Sequence, residues 1–130
     1  PEVSAQGDDT NADLQLTALG TAQVLVGNRS TGTIVSGSVT INAQRGVIVT
    51  TALNAGSASV QNFDLINNRI TAGSQVMFQV GEWTGSAGRP ITAYGTTVAG
   101  RSTFSVLNVP TANAGSAELN GTAAIRFVVL

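Results

Sequence analysis

The sequence contains no histidine, no cysteine and no lysine, and only seven acidic residues among 130. Each absence removes a class of chemistry. Without cysteine there are no disulfides and no thiolate-held metal, and the redox compartment cannot be read. Without histidine or lysine the many serines have no base beside them, and no G-x-S-x-G element is present. Enzyme sites are mostly assembled from His, Cys, Lys or convergent carboxylates. The chain therefore reads as non-enzymatic, with no cofactor and no metal, a protein shaped to be a surface or to bind one.

Aromatic residues are 5% of the chain and charged residues 10%. Val, Ile, Leu and Ala must do most of the core filling, and a thin core in a strand-rich chain is commonly supplemented by burial against other subunits. No apolar run approaches the length of a membrane-spanning helix, and no membrane partner is expected. The acidic start lacks the apolar stretch of a signal peptide. Pro1 is what remains when an initiator methionine is removed, which carries the expectation of a complete gene product.

Charge is unevenly placed. Glu2, Asp8, Asp9 and Asp13 put four of the seven acids in the first thirteen residues. All six arginines lie downstream, with Asp64, Glu82 and Glu118, so residues 14–130 carry a net +3. Scattered arginines at that density do not make a phosphate-tracking surface, and nucleic acid is not an expected partner. Residues 1–12 read as an extended acidic arm with nothing to bury, and residues 13–130 as a single domain. Asp8, Asp9 and Asp13 offer hard oxygen ligands but lack the spacing of a calcium loop. The arm is expected to order on assembly by pairing with a neighbouring sheet edge, its acids meeting arginines.

The body is punctuated by Gly and Asn into short runs. Leu14–Thr17 and Ala22–Val26 are strand candidates, and Asn28 to Gly32 is a turn cluster. Val39, Ile41 and Ala43 alternate with Ser38, Thr40 and Asn42, the period of a half-buried strand. Arg45-Gly46 interrupts that run and Val47–Thr51 resumes it. Val60 is out of phase with Phe63 and Leu65, which predicts a bulge. Val76–Val80 alternates cleanly, Gly81 to Gly88 is irregular, Ile91–Val98 and Thr103–Val109 are strands, and Pro110 ends the second. Asn120-Gly121 is a candidate tight turn. The final run carries apolar residues on both faces, as a central or subunit-buried strand would. No segment keeps a helical period. Eight or nine short strands with frequent turns imply an all-β fold, an antiparallel sandwich or jelly roll.

Few residues stand out as sites. Asp64 and Glu82 would need a fixed separation to act as a glycosidase pair, and nothing in the sequence brings them together. Trp83, in the loop Gly81–Pro90 with Arg89 and with Tyr94 shortly after, has three readings: a cap on the core, a protein anchor, or a platform for a sugar ring. Arg45 and Arg69 sit at strand breaks that could share a rim and meet acidic arms of neighbouring subunits. Arg126 lies on the final strand. The candidate interface is thus Glu2, Asp8, Asp9, Asp13, Arg45, Arg69, Trp83, Arg89, Tyr94 and Arg126.

Four segments carry a family resemblance. They are Gly37–Thr51 (GSVTINAQRGVIVTT), Asn67–Val76 (NNRITAGSQV), Phe104–Val109 (FSVLNV) and Ala124–Leu130 (AIRFVVL). Together they resemble the small β-domains of tailed-phage virion proteins, which occur as capsid decoration (cement) proteins and as heads of fibres. The resemblance spans roughly residues 37–130 and implies a sandwich or jelly-roll subunit, commonly trimeric, with no catalytic residues to carry over. Fibre heads usually end long chains that include a shaft, so the decoration role is the better fit. The implied partners are a major capsid protein and further copies of the chain, and the implied location is the capsid exterior. A receptor- or glycan-binding fibre head is the alternative.

Overall fold

The computed structural model describes residues 29–56, 58–109 and 117–130. The acidic arm and the strand candidates before residue 29 lie outside them. Eight strands run in order: β1 (Arg29–Thr33), β2 (Ser38–Thr40), β3 (Arg45–Val49), β4 (Val60–Ile66), β5 (Val76–Trp83), β6 (Pro90–Val98), β7 (Arg101–Asn108) and β8 (Ala123–Val129). They form two four-stranded sheets, β1-β3-β8-β5 and β2-β4-β7-β6. With no helix among the described residues, the protein is an all-β sandwich. We name the sheets by their central strands, the β8 sheet and the β7 sheet.

Alternation builds the interior. Ile48, Ile125, Phe127 and Val129 point inward from the β8 sheet, and Phe63, Leu65, Phe104 and Val106 meet them from the β7 sheet. Successive side chains of a strand face opposite ways, so every second residue is buried and its neighbours stay at the surface. Phe104 is fully buried and joins the layers: its ring centroid lies 4.5 Å from Phe78 and 5.6 Å from Phe63. β8 lies between β3 and β5, the central position that its two-sided apolar pattern implied.

Pairing is mixed rather than wholly antiparallel. β1 pairs with β3 in parallel, and β2 with β4 in parallel. The chain steps from one sheet to the other at each of its first four strands, so alternate strands meet in the same sheet pointing the same way. The step from β1 to β2 is a tight turn in which Ser36 (φ 49°) and Gly37 (φ 79°) both take positive φ. That is the demand of a type I′ turn. Mutual backbone hydrogen bonds between Val35 and Ser38 close it.

Several local expectations are corrected. The predicted turn at Asn28 to Gly32 is strand β1 from Arg29 onward. Arg45 and Gly46 do not break a strand; they begin β3, because the chain changes sheets before them. No bulge interrupts β4, whose seven residues pair in register with β7 from Val60 to Ile66. Val60 was out of phase because it faces outward. The register shifts fall instead between Val80 and Glu82 and between Tyr94 and Thr97. Asn120-Gly121 is not a hairpin turn: the Asn120 side chain accepts the Ser86 and Ala87 N–H groups, each at 2.9 Å.

Buried amides fasten the two ends. Asn67, fully buried after β4, donates to the Ala43 carbonyl at 2.6 Å and accepts the Arg69 N–H at 2.9 Å. Asn108, 1% exposed at the end of β7, donates to the carbonyls of Ala55 (3.0 Å) and Ala117 (2.9 Å) and accepts the Arg89 N–H (3.0 Å). Buried polar groups are tolerated when they are satisfied in this way.

Candidate functional site

The predicted interface residues scatter over the sandwich, and two of them converge. Glu2, Asp8, Asp9 and Asp13 lie outside the described residues. Arg69 is exposed in the loop between β4 and β5, and Arg89 is exposed at the opposite end, before β6. Tyr94 is on β6, its backbone opposite Phe104. Asp64 and Glu82 sit on different sheets, on outward positions of β4 and β5, so no carboxylate pair forms. Asp64 instead lies 3.9 Å from Arg101.

Trp83 is half-buried and packs against the core. Gly85 passes so close to its ring that a Cβ there would collide with Cζ2 of the indole. Trp83 thus packs against the core with Gly85 close beside its ring, a placement that fits the cap reading. Asn120 holds that loop down, donating to Ser86 Oγ at 2.9 Å.

Arg29, Arg45 and Arg126 line one hollow on the outer face of the β8 sheet, Arg126 with its side chain laid over Gly81 of β5. Arg29 and Arg45 are register partners on β1 and β3. Across β3 and β8, Arg45 faces Val128 and Val47 faces Arg126. These residues rim a hollow of about 350 Å³ that Gly46 and Phe127 also line. The Nε of Arg45 is buried without a hydrogen-bond partner. A buried donor left unmade costs roughly 1–3 kcal/mol. Sequence reading missed Arg29, which it placed in a turn. The only available signal was its similarity to Arg45, each preceding a strand-like pair of small or β-branched residues, and that signal means something only once β1 and β3 are known to be parallel neighbours.

The outer face of the β7 sheet is different in character. Val60, Leu107 and Ile91 stand in one row across β4, β7 and β6. Val60 is 52% and Ile91 46% exposed. The next row is small and polar: Asn62, Ser105 and Ala93, with Ser105 donating to Asn62 Oδ1 at 2.7 Å. Beyond it Asp64 lies opposite Thr103, and the last row sets Arg101 between exposed Ile66 and Val98, with Arg101 3.9 Å from Asp64. This face is a plate with an apolar strip at one end and an ion pair toward the other.

A third feature is a lateral groove of about 590 Å³ between the edge strands β5 and β6. Phe78 and Met77 line one wall, Thr92, Ala93 and Thr97 the other, and Thr92 Oγ1 donates to the Phe78 carbonyl at 2.8 Å. Among the described residues its lining offers hydroxyls, an amide and apolar surface, but no titratable side chain. Among the described residues no group of three or more acidic side chains converges to hold a metal ion.

Comparison of the chain with protein-family models, with curated proteins and with solved structures finds no match.

Proposed function

We propose that this protein is a non-enzymatic virion structural protein, a decoration subunit that binds the outside of a phage capsid and stabilises the shell. The observation that carries the reading is the plate on the β7 sheet, where exposed Val60 and Ile91 flank half-buried Leu107 in one row. A row of apolar side chains in register, next to small polar ones, suits burial against another flat protein surface. The segment resemblance to phage decoration domains supports the same role. On a symmetric shell, many weak contacts of this kind add to a strong one.

The subunit would assemble as a homotrimer, which hides sheet edges that a lightly charged chain does little to protect. Purified particles should contain hundreds of copies, and shells lacking the protein should rupture at lower temperature or milder osmotic shock. A few trimers per particle would instead mark a fibre head. A stable monomer by light scattering at micromolar concentration would remove the trimer. The second reading, a receptor- or glycan-binding head, is favoured by the groove between β5 and β6, whose hydroxyls and Phe78 ring suit a sugar. Glycan-array binding abolished by Thr92→Val would support it over decoration.

A further inference from the structure

We propose that the hollow rimmed by Arg29, Arg45 and Arg126 is a carboxylate seat, and that its occupant is the acidic N-terminal segment of the same chain, residues 8–13. The seat has an excess of positive charge. Arg29 and Arg45 occupy one register position on adjacent parallel strands, about 4.8 Å apart. Like charges so placed repel unless an anion lies between them. No ion pair involves any of the three arginines among the described residues; the one present joins Arg101 to Asp64 on the other sheet. Glu82, the acid on this face, is opposite Ala124 in the row beyond Arg126 and forms no ion pair with it.

The geometry of Arg45 points the same way. Its Nε is out of solvent with no acceptor. A guanidinium presents Nε–H and a terminal N–H as a parallel fork that fits the two oxygens of a carboxylate. The sequence supplies that acceptor nearby, since Asp8, Asp9 and Asp13 precede β1 and only three acids follow it. Fifteen residues lie between Asp13 and Arg29, and an extended chain of that length reaches roughly 50 Å. The tether gives the segment an effective concentration on the order of millimolar at its own seat. That favours it over free anions. The inference concerns the isolated protein and does not rest on the virion role.

The test is NMR of the arginine Nε–H groups in the full chain, assigned through single Arg→Lys variants. Wild type is compared with the variant Glu2→Gln, Asp8→Asn, Asp9→Asn, Asp13→Asn. The signals of Arg29, Arg45 and Arg126 should move on neutralisation while those of the loop arginines Arg69 and Arg89 stay in place. Wild-type signals should move the same way in ~1 M NaCl, where screening is nearly complete. Three unmoved signals would overturn the proposal, as would equal movement of all six arginines. Signals that respond to added inorganic phosphate but not to neutralisation would make this a free-anion site and also overturn it. A neutralisation effect that disappears on dilution would assign the segment to a second copy and defeat the same-chain assignment.

Discussion

Asn108→Ala should be among the most destabilising single substitutions in the described part of the protein. Asn108 makes three hydrogen bonds from a 1% exposed position, to Ala55, Ala117 and Arg89. Each contributes a net of about 1 kcal/mol, and truncation leaves the partner groups unsatisfied. Removing the amide adds a small cavity worth about 1 kcal/mol. The expected loss is therefore about 4 kcal/mol. At an unfolding entropy of about 2.1 cal/mol/K per residue, that corresponds to a Tm lower by roughly 15 °C. Calorimetry and urea unfolding, with a matched substitution at exposed Asn62 as control, measure it. Asn108→Asp refines the test. It retains an acceptor for the Arg89 N–H but sets a carboxylate oxygen against two carbonyls, so it should destabilise at least as much as alanine. Its stability should recover partly on acidification, as the protonated carboxyl regains one donor. A cost below about 1 kcal/mol for Asn108→Ala, within the range of ordinary surface changes, would refute the latch.

Further outcomes follow from close contacts and exposed rows. Gly46→Ala should cost about 2–3 kcal/mol by overpacking, because its Cβ would meet the Ser30 carbonyl and the Phe127 ring, the latter at 2.7 Å; thermal melts read it, and a neutral result would mean that β1 yields freely. Trp83→Ala should cost about 2 kcal/mol, less than a fully buried tryptophan, and on the proposed decoration role should leave capsid occupancy intact at temperatures where the variant is folded. Ile91→Asp and Val60→Asp, both at exposed outward positions, should leave Tm within about 1 °C of wild type and, on the proposed decoration role, lower the copies bound per particle at least tenfold, scored by quantitative mass spectrometry of purified virions. Undiminished occupancy would exclude the β7-sheet plate as the docking face.

Much of the sandwich was legible in the sequence because a strand's side-chain period is local. The alternation of Ile125, Phe127 and Val129 with Arg126, Val128 and Leu130 separated the two faces of β8 and showed apolar residues on both, before any partner was known. The absence of His, Cys and Lys likewise limited the chemistry without reference to geometry. Strand partnership is not local. Alternation reads the same whether a neighbour runs parallel or antiparallel, so the parallel pairings of β1 with β3 and of β2 with β4 had no signature in the sequence. That is why Arg45-Gly46 resembled a break, and why Arg29 passed unnoticed. The same limit applies to Trp83, whose single letter fits a cap, an anchor or a platform and does not tell that it packs against the core beside Gly85. Composition and period determined which residues are inside and which chemistry is missing. Tertiary structure alone decided which outward residues meet, because a row across a sheet is made of residues far apart in the chain, brought into register by backbone pairing.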